Sequence, residues 1–240
     1  WTPEFAAELR GPLAPVHVAQ RYADAGRYAE LLTYLEQRSK DELEESAMLT
    51  LLCGIAHSRL GRLEVGQQWA MVAQLRARAL KDRMMEVRAL NVCGAIALER
   101  GGIDEATYFF SRAQEEATDD NDMASVARCA NNLGIIATMQ GDYKRAVIAY
   151  TRAIAAYEQA RFQRGIAESR HNLGIVFREQ GELARAIEVA TQAVGDAERL
   201  GDRQLAAQAT AGVAEIHVAR GESELAKQQV ERGLADHPAR

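Results

Sequence analysis

Few residues in this chain have a type and spacing suited to breaking bonds. His57 and His217 share one position of a 40-residue internal repeat, which reads as core or rim packing, and His171 has no Asp or Cys in helical phase to form a nucleophile–base pair. Cys53 and Cys93 share a second repeat position and Cys129 is an unpaired third, which reads as small buried side chains rather than a disulfide or metal framework. The acidic run Glu115, Glu116, Asp119, Asp120 and Asp122 spans a helix end without the spaced loop a calcium site needs, so it reads as a solvated helix terminus. There is no Gly-rich phosphate loop, no HExxH, no paired-Cys metal spacing and no Gly-x-Ser-x-Gly elbow. The expectation is no catalytic residue, no metal, no cofactor and no enzyme in its own right. What remains is hydrogen-bonding chemistry. Asn131, Asn132 and Asn172 each offer two donors and an acceptor, which can grip a peptide backbone whatever its side chains or bond neighbouring helices to one another.

The elements that must position these amides are written as a repeat. The chain reads ARCANNLGIIATMQGDYKRAVIAYTRA from Ala127 and AESRHNLGIVFREQGELARA from Ala167. Three columns run through it at 40-residue spacing: Gly61, Gly101, Gly141, Gly181 and Gly221; Gly54, Gly94, Gly134 and Gly174, then Ala214; Gly66, then Ala106, Ala146, Ala186 and Ala226. Such a period marks a solenoid, in which each unit buries its apolar face only against its neighbours. Each unit predicts a first helix ending at the first column, where glycine accepts a positive φ, and then a second helix. Asp104, Asp142, Glu182 and Glu222 suit the positive end of that second helix, and Asp82, Asp122 and Asp202 cap the next first helix. Phe162 breaks the cap column, a sign of local repacking. The small columns are expected to let paired helices approach closely, with Leu133, Ile136, Ala137, Val147, Tyr150 and Ile154 as the apolar stripe around them.

The expected organisation is a lead-in helix over 1–11, a repeat array over 12–234 and a tail over 235–240, with units at about 12–40, 47–80, 83–120, 122–160, 163–200 and 202–234. Gly26 precedes Gly61 by 35 residues, so the first unit has a shorter second helix or a tighter connection. Pro is absent between Pro15 and Pro238, and helix should exceed about 75 % of the chain, far above the usual third. The net charge is −5 with both signs mixed along every helix, which argues against nucleic acid as a direct partner. No run approaches the roughly 18 apolar residues of a membrane span, and no charged-then-apolar leader opens the chain, so no membrane span and a cytoplasmic location are the default. Opening on Trp1 without Met, the chain is expected to be a piece of something longer.

The unit from Ala127 resembles the tetratricopeptide repeat: Gly134 at the eighth position, Gly141 at the fifteenth, Tyr143 at the seventeenth, Ala146 at the twentieth, Tyr150 at the twenty-fourth and Ala153 at the twenty-seventh. The 40-residue period, the NLG triplets at Asn132–Gly134 and Asn172–Gly174 and LGDR at Leu200–Arg203 are similar to the subclass of Pins-type adaptors, kinesin light chains, bacterial Rap-type regulators and the arrays of bacterial signalling NTPases. The resemblance implies an all-α, right-handed α-solenoid of about six antiparallel helix pairs whose first helices line an inner groove for a partner peptide. Carried over by position, the groove is faced by Arg88, Asn91, Ala95, Arg128, Asn131, Asn132, Ile135, Glu168, His171, Asn172, Ile175, Arg178 and Glu215. The lysine and asparagine pattern of the chaperone-tail clamp is missing, Arg170 stands where the family buries a bulky apolar residue, and Ala211 and Gly212 replace the Asn positions of the last unit.

The function implied is a protein–protein interaction scaffold or adaptor, binding a protein or peptide segment in the groove. Two alternatives stand beside it. One is a sensor array that binds a small peptide or metabolite within a larger bacterial signalling or transcription regulator. The other is a self-assembling protein that forms homo-oligomers through Leu225, Val230 and Leu234 of the terminal repeat.

Overall fold

The computed structural model describes residues 14–236, which form thirteen α-helices with no strand among them. The lead-in helix expected over 1–11 lies outside the described residues. The helices are α1 (Ala14–Asp24), α2 (Tyr28–Glu36), α3 (Lys40–Glu45), α4 (Ala47–Arg59), α5 (Leu63–Ala79), α6 (Arg83–Glu99), α7 (Ile103–Asp119), α8 (Met123–Met139), α9 (Tyr143–Gln159), α10 (Gln163–Glu179), α11 (Leu183–Leu200), α12 (Arg203–Ala219) and α13 (Ser223–Asp236). Twelve of them make the six expected pairs, and the last runs two residues into the segment expected as a tail.

Local chemistry writes these boundaries. First helices end on a glycine in the left-handed region, from φ 68° at Gly26 to 80° at Gly101, a conformation costly for any residue with a Cβ. The next helix begins within two residues. Oδ1 of Asp82, Asp122, Asp142 and Asp202 accepts the N–H three residues on, at 3.0–3.1 Å, so the caps satisfy a donor the helix cannot. Phe162 makes no such bond. Its ring instead lies 5.5 Å from that of Tyr157, which occupies the space a Cβ on Gly165 would need. The repacking expected at the broken cap column is thus an aromatic pair.

The first pair does have the shorter second helix, 9 residues in α2 against 17 in α5. Helix α3 follows and was not legible as a separate element. A capping box creates it: Ser39 Oγ accepts from the Glu42 N–H while the Glu42 carboxylate accepts from the Ser39 N–H. Buried Thr50 of α4 donates to the Leu43 and Ser46 carbonyls, tying α3 to the helix it precedes.

The chain divides into two compact units, Trp1–Asp120 and Asn121–Arg240. In the second unit, α9 touches both α8 and α10, and α11 touches both α10 and α12, while α8 touches α10 and α10 touches α12. First helices therefore form a continuous layer, backed by the second helices. The core between the layers holds Ala137, Tyr150, Leu173, Val176, Phe177, Ala190, Val213 and Ile216. The first unit repeats this with α4, α5, α6 and α7.

One expectation about packing needs correction. Gly54 and Gly174 do permit a close approach of paired helices: a Cβ on Gly54 would lie 2.9 Å from the Ala70 nitrogen, and one on Gly174 3.3 Å from the Ala190 Cβ. Gly94 and Gly134 have a different reason. A Cβ there would lie 2.7 Å from ring carbons of Phe110 and Tyr150, so these glycines admit a ring between the helices.

Candidate functional site

The inner layer of the second unit carries the amides. Asn131 on α8 is half-buried, and its Oδ1 accepts from Ser169 Oγ at 3.1 Å and from Asn172 Nδ2 at 3.3 Å, both on α10. Two accepted bonds fill the lone pairs of that oxygen. Ser169 is fully buried, so its bond to Asn131 satisfies a hydroxyl that water does not reach. Asn131 and Asn172, expected to face the groove, are half-buried and bonded to each other, so they also brace α8 against α10.

Between α10 and α12 the layer becomes charged and stepped. Arg178 pairs with Glu215 across the two helices and with Glu179 at 2.9 Å beside it. His171 stands over Gly212, where a Cβ would meet its ring at 3.4 Å. Burial, reinforced by Arg178 and opposed by Glu215, holds the His171 imidazole below its ordinary pKa. His171, Ile175, Arg178, Gly212 and Ile216 line a shallow surface depression that encloses no cavity.

The remaining expected groove residues divide. Arg128 hydrogen-bonds Tyr157, whose hydroxyl burial pushes up to about 12. Ile135 packs partly into the core, and Asn132 is half-buried on α8. Glu168 sits beside Arg164 and is pushed upward in pKa chiefly by burial. In the first unit Arg88 donates to Gln20 at 3.5 Å, and Ala95 is exposed. Asn91 is 8 % exposed and belongs with the buried polar groups, which corrects its placement as a wetted groove residue. Ser169 was missed. The signal was present: its column holds Ala89 and Cys129 in other units, and a hydroxyl there demands a partner.

Arg170 is resolved by a residue far along the chain. It pairs with Asp196 of α11, which is 5 % exposed, and also with Glu158. Cys53, Cys93 and Cys129 are buried free thiols pushed up to about 12, so they are poor nucleophiles. Among the described residues no three His, Cys, Asp or Glu side chains gather into a metal-holding group, and no helix is long and apolar enough to cross a membrane.

The tetratricopeptide-repeat family model matches residues 126–160 and 166–200, the α8–α9 and α10–α11 pairs. The α8–α11 stretch is a run of tetratricopeptide repeats. No curated protein matches this repeat protein significantly in sequence. Solved structures match its fold: BtubC (BKLC) from P. vanneervenii at 18 % identity and TM-score 0.71, covering 98 % of this chain and 93 % of that one. A Rap protein crystallised with competence and sporulation factor is 14 % identical with TM-score 0.78, over 97 % of this chain and 68 % of that one. A signal-transduction ATPase with a tetratricopeptide-repeat sensor, from Pyrococcus horikoshii, is 13 % identical with TM-score 0.82; 95 % of this chain covers 36 % of it. The tetratricopeptide fold points to protein–protein interaction as the general role.

Proposed function

We propose that this repeat protein is a binding module that holds a segment of a protein partner along the inner layer of α8, α10 and α12. The observation that carries the reading is the tethered polar face across these helices: Asn131 bonded to Ser169 and Asn172, then Arg178 bonded to Glu215. A face already held in place loses little side-chain freedom when a ligand arrives, which favours binding. Asn131 and Asn132 serve the ligand backbone, Ile175 offers an apolar contact, and Arg178 with Glu215 reads charge. A structural neighbour crystallised with a bound factor supports a segment as the occupant. The depression beside His171 encloses no cavity, which favours a segment lying across the layer over an enclosed metabolite.

Selection of a displayed random-peptide library on the immobilised chain, followed by calorimetry of an enriched peptide, tests this. Ile175→Lys should weaken binding at least about tenfold with an unchanged melting temperature, and Glu188→Lys on the exposed side of α11 should leave it intact. Equal loss in both variants, or none in either, would sink the reading.

Self-assembly through the last helix rests on Leu225 and Val230, which are 45 % and 49 % exposed. It predicts a concentration-dependent mass that Leu225→Ser with Val230→Ser abolishes.

A further inference from the structure

Helix α5 exposes a row of large apolar side chains. Val65, Met71, Val72 and Leu75 are 38 %, 44 %, 44 % and 60 % exposed, and Leu80 just beyond them is 61 % exposed. The positions equivalent to the first four are Glu105, Ser111, Arg112 and Glu115 one repeat on, then Arg145, Thr151, Arg152 and Ala155, then Arg185, Thr191, Gln192 and Gly195. At these positions α7, α9 and α11 carry no large apolar side chain. At about 100° per residue, Glu64, Val65, Gln68, Met71, Val72, Leu75 and Ala79 share one arc of the helix, and every one of them is exposed. A contiguous stripe of this kind, without a counterpart in α7, α9 or α11, marks an interaction surface rather than scattered exposure.

Its charges select the occupant. Glu64 lies in the first turn of α5, Arg76 and Arg78 lie in the last, and Lys81 follows. Between Val65 and Leu75 the arc carries no charge, so the apolar centre is flanked by opposite charges at its two ends. An α5 laid parallel on another would set like charges together, whereas an antiparallel copy sets acid against base at both ends. That arrangement is self-complementary and closes on two subunits. It also has the anatomy of an interface, with an apolar centre and a charged rim. Glu64 approaches Arg100 at 3.6 Å within its own chain, yet its side chain remains 76 % exposed and open to a second cation.

We propose that the exposed face of α5 is a homodimerisation surface that packs antiparallel on α5 of a second copy. Met71 and Val72 flank the twofold axis, Gln68 meets the partner's Leu75, and Glu64 meets the partner's Arg78. The surface belongs to a second helix, so within its own unit dimerisation leaves the layer of first helices uncovered.

Sedimentation of the full chain over a concentration series tests this against a monomer mass of 26.4 kDa. A reversible dimer is expected. Leu75→Lys should weaken it at least tenfold with no fall in melting temperature, since that side chain is already in solvent. Glu64→Arg and Arg78→Glu should each weaken the dimer, and the two together should restore it. On mild oxidation Met71→Cys should cross-link across the axis while Val65→Cys should not; the native cysteines are buried and stay silent. A chain that stays monomeric at every concentration overturns the proposal, as does a dimer indifferent to Leu75→Lys or one lost only with Leu225→Ser. Cross-linking through Val65→Cys instead of Met71→Cys overturns the antiparallel register.

Discussion

The helix pairs α8–α9 and α10–α11 are spelled from nearly the same motif, yet they are filled in opposite ways. In α8–α9 the ring comes from the second helix, where Tyr150 lies 2 % exposed opposite small Ala137. In α10–α11 the ring comes from the first helix as Phe177, and the position equivalent to Tyr150 is Ala190. Arg185 then stacks its guanidinium 4.0 Å over the Phe177 ring. The same exchange separates Ala97 with Phe110 from His57 with Ala70. At these two columns the pairs α6–α7, α8–α9 and α10–α11 each keep one buried ring and let the helix that supplies it vary. Volume is what the core conserves. The polar columns differ between the same two pairs: Arg170 and buried Asp196 stand where α8–α9 has Ala130 and Ala156, and titratable His171 stands where it has Asn131.

The comparison breaks most sharply at the ring. Tyr150→Ala should cost about 3–5 kcal/mol, as large-to-small changes of buried aromatics do. Adding Ala137→Phe, which turns α8–α9 into the α10–α11 arrangement, should recover most of that loss in denaturant melts. If the double variant is no more stable than the single, the exchange of rings is not interchangeable packing.

The buried ion pair comes next. Asp196→Ala strands the Arg170 guanidinium beside a site that excludes water, and a loss of about 1–3 kcal/mol is expected, discounted because Arg170 is partly exposed. Replacing both by Ala imitates Ala130 and Ala156 and should leave the chain more stable than Asp196→Ala alone. Melts of the three variants decide it.

A smaller effect should appear on acidification. The pKa of His171 in the fold lies below its unfolded value, so between those two values the unfolded chain binds more protons. Its contribution is therefore complete above the unfolded pKa and lost as pH falls through that value towards the folded one. His57, which is lowered in the same direction by burial, adds to the trend. His171→Asn, copying Asn131, should flatten the fall in melting temperature on going from neutral to mildly acidic pH. An unchanged slope would assign the pH dependence elsewhere.

The smallest and most discriminating change is at the glycine column. Gly174→Ala adds a Cβ at 3.3 Å from the Ala190 Cβ and gains about 0.5–1 kcal/mol of helix propensity, so its melting temperature should move little or rise. Gly134→Ala puts a Cβ 2.7 Å from the buried Tyr150 ring and should fall by about 1–3 kcal/mol. Equal responses would mean that the two glycines serve one purpose after all.

The sequence by itself determined whatever depends on a few consecutive residues. The glycine column forces a left-handed residue at each first-helix end, aspartates three residues before an unsatisfied N–H cap the next helix, and the 40-residue period requires neighbouring pairs to stack. Even Ser39 and Glu42 could have announced α3, since a capping box is local. Only the tertiary structure decided how distant columns meet. Whether Gly134 shelters a ring or a backbone depends on the size of residue 150, and whether Arg170 is an anomaly depends on Asp196, 26 positions away. Asn131 looked like a free amide because its partners, Ser169 and Asn172, lie 38 and 41 residues on. Side chains on stacked helices choose partners by distance across the layer, and a periodic sequence offers several chemically adequate partners at each column. Packing selects among them by volume and by the need to satisfy every buried polar atom.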